Sequence, residues 1–253
     1  MSERFTARMA VEYWASQHSV SVDQLGLGPI VVGSWDSRTV KSLAKTVKAK
    51  PSPSWWWGPR FPLYNGQVGR KEVSIVNLPL GAPATILVME ELIACGARVF
   101  LGLGLAGSIQ PEAPIGTFFI PTSCIREEGT SPHYLSSDEG LRPAPRLVRA
   151  LEKARLKKGA VAYAGPLWTT DAPYREMVTT IEDYRLRNIL GVDMETSAMY
   201  ALGVYRNVEV CNLLVVSDEL WRDWKPAFGR PELRKALKKA EDIVLETITS
   251  LRA

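Results

Sequence analysis

Short apolar runs alternate with stretches of helical periodicity along most of this chain, and that alternation limits the fold more than any other feature. Ile30-Val31-Val32 stops at Gly33, and Thr39 to Val47 then reads as a helix. Glu72 to Asn77 has the composition of a strand. Pro83 to Cys95 carries Leu87, Val88, Glu91 and Leu92 at helical spacing and ends at Gly96. Arg98 to Leu103 and Thr117 to Pro121 read as further strands, and Lys50 to Pro62, rich in Pro and Trp, as a loop. The same logic continues: helix at Ala144 to Lys157 with basic residues at its end, strand at Ala160 to Ala164, helix at Tyr174 to Asn188. Gly191 to Met194 leads into a helix from Thr196 to Tyr205. Val210 to Val216 is an apolar strand stopping at Ser217-Asp218, and Pro231 to Leu251 is a long amphipathic helix. None of these strands has a proline in its interior. The pattern predicts an α/β fold: one domain over residues 1–253, with a mostly parallel central sheet covered by helices on both faces. Such sheets bind ligands at the carboxyl ends of their strands, where Gly33, Gly104 to Gly107, Met194-Glu195 and Ser217-Asp218 fall.

Composition removes several function classes. With 46% apolar and 23% charged residues, a chain of 253 residues can bury a large core and is not disordered. The net charge of +4 is mild, and the one basic run, Arg234, Lys235, Lys238 and Lys239, fits the solvated face of the last helix. A nucleic-acid binder would carry a denser patch, so no nucleic-acid partner is expected. Cys95, Cys124 and Cys211 are far apart in apolar contexts, and His18 and His133 are distant in sequence, which argues against a metal site. The N-terminal stretch lacks an apolar signal core and no run is long enough to span a bilayer, so a cytoplasmic protein without a membrane partner is expected.

Three segments carry a recognisable pattern. The first is Gly104-Leu105-Ala106-Gly107-Ser108-Ile109-Gln110-Pro111, followed by Ile115-Gly116 and Ile120-Pro121-Thr122, and then by Arg126 to Tyr134. The second is Gly191-Val192-Asp193-Met194-Glu195-Thr196-Ser197-Ala198, and the third Val215-Val216-Ser217-Asp218. In order and spacing they resemble the nucleoside phosphorylase family, which includes purine nucleoside and uridine phosphorylases. The Ser-Asp at the strand end is similar to the purine branch.

The chemistry explains these residue types. Cleaving a glycosidic bond builds positive charge on the ribose and negative charge on the departing base. An acid beside the base improves it as a leaving group. The resemblance gives that role to Asp218, assisted by Arg230, with Arg222 as the second match; the bland alternative is a turn-capping Asp. It gives ribose binding to Glu195, whose two oxygens suit two hydroxyls, and to Met194, which would pack on the sugar. A helix N-terminal carboxylate and a core methionine are the alternatives. His18 lies where family members send a histidine into a neighbour's ribose site. Ser217, Trp168 and Tyr174 are the candidates for the base, the last two from Trp168-Thr169-Thr170-Asp171-Ala172-Pro173-Tyr174, which resembles the segment around the family's aromatic wall. Pro173 stands where an aromatic residue is common.

The phosphate site departs from the pattern. Where the family reads R-x-G-[ST]-x-G, this chain has Gly102-Leu103-Gly104-Leu105-Ala106-Gly107, so Gly102 replaces the arginine and Leu105 the hydroxyl. Gly33 and Arg38 remain as phosphate candidates in a loop similar to the family's G-D-P-x-R, and Arg60 stands where a neighbouring subunit supplies an arginine. The implied function is phosphorolysis of purine nucleosides to base and ribose 1-phosphate. Inorganic phosphate would be the co-substrate with no further cofactor, and the protein would be a homo-oligomer, a dimer or a hexamer. A uridine phosphorylase, a hydrolytic nucleosidase in which Asp36 activates water, and a non-catalytic nucleoside binder stay open.

Overall fold

A computed structural model describes residues 3–136 and 141–251. Helix α1 (Ala7–Gln17) precedes the first strand, β1 (Ile30–Ser34), whose residues are all buried. Asp36 then caps α2 (Ser37–Thr46) by accepting from the Arg38 backbone N–H, which ends the strand and turns the chain. A two-residue strand β2 (Lys50–Pro51), β3 (Leu63–Val68) and β4 (Lys71–Asn77) follow, and α3 (Ala82–Ala94) starts with proline in its first turn. Next come β5 (Val99–Ser108), β6 (Phe118–Glu127), α4 (Pro145–Lys157), β7 (Ala162–Thr170), α5 (Val178–Leu186) and β8 (Gly191–Asp193). Helix α6 (Thr196–Arg206) ends at Asn207 in the left-handed conformation. Strand β9 (Glu209–Glu219), β10 (Lys225–Pro226) and α7 (Pro231–Ser250) complete the fold.

The sheet order is β10-β9-β6-β7-β8-β5-β1-β4-β3-β2, and β9 also pairs with β5. That extra pairing closes β5, β9, β6, β7 and β8 into a ring. The α/β class holds, but the sheet is mixed rather than mostly parallel. Strand β1 runs parallel to β4 and β5, and β5 parallel to β9. Strand β8 is antiparallel to β5, and β6 to β9. Alternation of elements cannot show the direction in which a short strand such as β8 closes a ring.

The ring also explains why its strands outrun their apolar cores. Strands β6 and β7 continue through Pro121 and Pro166, against the expectation of proline-free strand interiors. The β6–β7 register shifts between Pro121 and Ser123, so both prolines sit beside an irregularity in the ladder where a missing N–H is tolerated. The mostly polar β3 escaped the sequence reading, having only Leu63 and Val68 buried. The helix expected over 174–188 is broken: a short turn at Pro173–Arg175 is followed by extended Glu176 and Met177 before α5 begins.

Two cores flank the sheet. One joins its strands to α2, α4 and α7 through Val40, Leu43, Leu147, Leu151, Leu237 and Val244. The other joins them to α3 and α6 through Ile86, Met89, Leu92, Met199 and Leu202. Alternation along β9 sends Leu213 and Val215 to the first core and Leu214 and Val216 to a separate cluster with Ala106, Phe119 and Leu167 of the other long ring strands.

Candidate active site

A cavity of about 450 Å³ opens at the carboxyl ends of β1, β5 and β9, large enough for a nucleoside-sized ligand. Irregularity in the sheet shapes it. Between Ala106 and Gly107 the β5–β9 register slips, so that Val216 pairs with Ala106 and Asp218 with Gly107, leaving Ser217 as the extra residue. Such a bulge re-aims the following side chain, here Asp218, which lines the cavity. Asp218 Oδ1 accepts from the Ser217 hydroxyl at 2.7 Å and Oδ2 from the Trp224 indole N–H at 2.9 Å. The strand expected to stop at Val216 therefore carries on to Glu219 and delivers the acid as part of the sheet.

The end of the short strand β8 and the two residues after it supply Asp193, Met194 and Glu195 to the cavity. Asp193 is buried and accepts from the Thr169 hydroxyl at 2.7 Å and from the Thr196 backbone N–H at 3.0 Å, as well as from the Thr196 hydroxyl. Burial pushes its carboxyl up, while these hydrogen bonds pull it down. Glu195 Oε1 accepts from the Gly81 N–H at 2.7 Å, which fixes the side chain at the mouth of α3. Burial, then the Asp193 charge, push the Glu195 carboxyl up.

Much of the remaining lining is apolar. Leu103, Leu105, Leu233 and Leu237 line it together with Trp35. The Trp35 indole N–H donates to Thr85 at 2.8 Å, and its ring lies so close to Gly104 that a Cβ there would sit 2.9 Å from it. Position 104 thus admits only glycine while Trp35 keeps this pose. At Gly102 a Cβ would run into Asn212 Oδ1, whose amide Nδ2 donates to the Thr196 hydroxyl at 2.8 Å. Any larger side chain at position 102 therefore meets Asn212. Arg38 lines the cavity as its one cation among the described residues, paired with Asp36 at 3.3 Å and 71% exposed.

The structure brings together Asp218, Ser217, Met194, Glu195 and Arg38, with Asp36, Leu105 and Pro173. Several expected site residues lie outside the cavity of a single chain. Gly33 is buried in β1 and faces Leu78. Arg230 caps α7 with an exposed side chain 4.0 Å from Glu232, and Arg222 stacks on Trp221 at 4.3 Å; the hydrogen bonds of Asp218 go to Ser217 and Trp224 instead. Trp168 packs edge-on against Tyr184 at 5.3 Å in a core cluster, and Tyr174 is 99% exposed, so the aromatic faces at the cavity are Trp35 and Phe228 instead. His18 ends α1 and Arg60 follows the tryptophan loop, both exposed. Sequence reasoning missed Trp35, Trp224 and Glu176. Trp35 directly follows Gly33-Ser34 in a loop already under suspicion, whereas no motif marks the other two.

Among the described residues no group of three or more metal-ligating side chains could hold an ion, and no helix is long and apolar enough to cross a membrane. Residues 30–249 match the family model described as the phosphorylase superfamily. The chain is 26% identical over 196 residues to a guanosine phosphorylase of Halorubrum lacusprofundi, covering 76% of this chain and 81% of that protein. It is 30% identical over 164 residues to a uridine phosphorylase of Treponema pallidum, covering 60% of this chain and 64% of that protein. A uridine phosphorylase of Thermococcus kodakarensis is 25% identical over 197 residues, 72% of this chain and 71% of that protein. With the matched region spanning nearly every element that builds the cavity, the chain belongs to the phosphorylase superfamily, as a member of its nucleoside phosphorylase family of enzymes.

Proposed function

We propose that this protein cleaves the N-glycosidic bond of purine nucleosides by phosphorolysis, giving free base and ribose 1-phosphate. The observation that carries the reading is the placement of Glu195, Met194 and Asp218 around one cavity. Glu195 is held at one oxygen by Gly81 and offers its remaining lone pairs to ribose hydroxyls. Met194 packs on the sugar, and the base lies toward Ser217 and Asp218, where a carboxyl can serve the leaving ring nitrogen. Inorganic phosphate is the co-substrate, paired by Arg38, and no resident cofactor is needed. Similarity to a guanosine phosphorylase supports a purine, and similarity to uridine phosphorylases keeps a pyrimidine in the test.

Hydrolysis is the second reading, and the cavity lining favours it. Among the described residues, five with carboxyl side chains, Asp36, Glu176, Asp193, Glu195 and Asp218, line the cavity with a single guanidinium residue, Arg38. That balance disfavours an anion and tolerates water. We place the protein in a reducing cytoplasm as a homo-oligomer acting in purine salvage, with His18 and Arg60 reaching a neighbour's cavity. A fully active monomer in sedimentation experiments would remove the shared site. The deciding assay is release of base from inosine, guanosine, adenosine and uridine, with and without phosphate. Purine release that requires phosphate supports phosphorolysis; release indifferent to phosphate, with free ribose as product, establishes hydrolysis.

A further inference from the structure

Glu176 is a cavity carboxyl that none of the recognised motifs contains. It stands where the chain breaks the expected helix: the turn at Pro173–Arg175 ends, Glu176 is extended, and α5 starts at Val178. The break places Glu176 at the cavity with Pro173, Leu220 and Asp218. Each of the other cavity carboxyls is engaged. Asp36 caps α2, Asp193 accepts from Thr169 and Thr196, Glu195 accepts from Gly81, and both oxygens of Asp218 accept from Ser217 and Trp224. Glu176, half-buried, has no hydrogen-bond partner among the described residues.

The leaving base needs a proton from a group that has one to give. Asp218 is occupied at both oxygens as an acceptor. Glu176 is unengaged, and burial followed by the neighbouring Asp218 charge pushes its carboxyl up to about 7. The charged groups around the cavity are Asp218 on β9, Asp193 and Glu195 at β8, and Asp36 and Arg38 before α2, with Arg175 preceding Glu176 in its own segment; of these, Asp218 is the one that acts on it.

We infer that Glu176 delivers the proton to the departing base, with Asp218 as its fixed anionic partner. The inference rests on the cavity being a nucleoside site. The Glu176 O–H bond breaks as an N–H bond forms on a base ring nitrogen. The C1′–N bond breaks with its electron pair going to the base. An oxygen of phosphate, or of water in the hydrolytic case, bonds to C1′. The proton lost by that nucleophile passes to solvent, from which Glu176 takes one back.

The test compares guanosine with 7-methylguanosine, whose base carries a positive charge before cleavage and leaves without a proton. Wild-type kcat/KM on guanosine falls as pH rises through about 7, because the acid form is the active one. Glu176→Gln loses roughly a hundredfold or more on guanosine together with that limb, yet stays close to wild type on 7-methylguanosine. Asp218→Asn removes the neighbouring charge and moves the limb to lower pH. Glu176→Gln that keeps both rate and limb on guanosine overturns the inference, as does an equal loss on both substrates. Wild-type protein that releases base from neither guanosine nor 7-methylguanosine overturns the purine reading and this inference with it.

Discussion

In the polar part of the cavity lining, Asp193, Glu195, Ser217 and Asp218 each hold a defined hydrogen bond to the scaffold. In the apolar part, Trp35, Leu103, Leu105, Leu233 and Leu237 line the cavity, and its one cation among the described residues, Arg38, is largely exposed and already shared with Asp36. Two parts of one pocket therefore follow different rules. Where a buried carboxylate must meet a hydroxyl or a base, the scaffold supplies fixed partners, because an unpaired buried charge is costly. Where an anion would sit, a solvent-screened cation replaces buried donors and contributes little. On the proposed reading, the lining is better equipped to hold a nucleoside than an inorganic anion.

The largest effect is expected at the polar end. Glu195→Gln keeps an oxygen for Gly81 and loses charge-assisted bonds to the ribose hydroxyls. At about 1.5–3 kcal/mol for one such bond, kcat/KM falls by about tenfold to a hundredfold or more. The loss should shrink on a 2′-deoxynucleoside; an equal loss on both sugars would remove Glu195 from ribose binding.

At the apolar end the effect is conditional. Gly102→Arg alone collides with Asn212 and should lower stability by about 1–3 kcal/mol in thermal or urea unfolding, without improving phosphate binding. Combined with Leu105→Ser and Asn212→Ala, which open the space, it should lower the KM for phosphate by about tenfold or more. If the single variant already tightened phosphate, Asn212 would not be what fills the site.

The smallest effect belongs to Arg38→Ala, with a rise in phosphate KM of a few-fold, about 1 kcal/mol, as for an exposed pair. Loss of all phosphate dependence would show that Arg38 turns inward when phosphate binds.

The polar end was legible in the sequence because its motifs are contiguous. Met194-Glu195 and Ser217-Asp218 stand at strand ends, and strand ends are where such folds bind ligands. The departures from the family pattern at Gly102 and Leu105 were legible too. What packs around them was not: Asn212 and Trp35 meet β5 from a neighbouring strand and a distant loop, contacts that no local pattern encodes. The bulge at Ser217 and the break at Glu176 were hidden for a related reason. Both depend on how a strand or helix end fits against the ring, whereas periodicity reports only which face is buried. Trp168 and Tyr174 matched a motif in spacing, yet one packs inward and the other faces solvent, since Pro173 turns the segment.

The most direct measurement is a phosphate titration of purine release that follows ribose 1-phosphate and free ribose together. A pocket with a strong nucleoside end and a weak anion end should yield ribose 1-phosphate with a phosphate KM about one to two orders of magnitude above that of a relative retaining the arginine. Saturation at the same low phosphate as such a relative would contradict it.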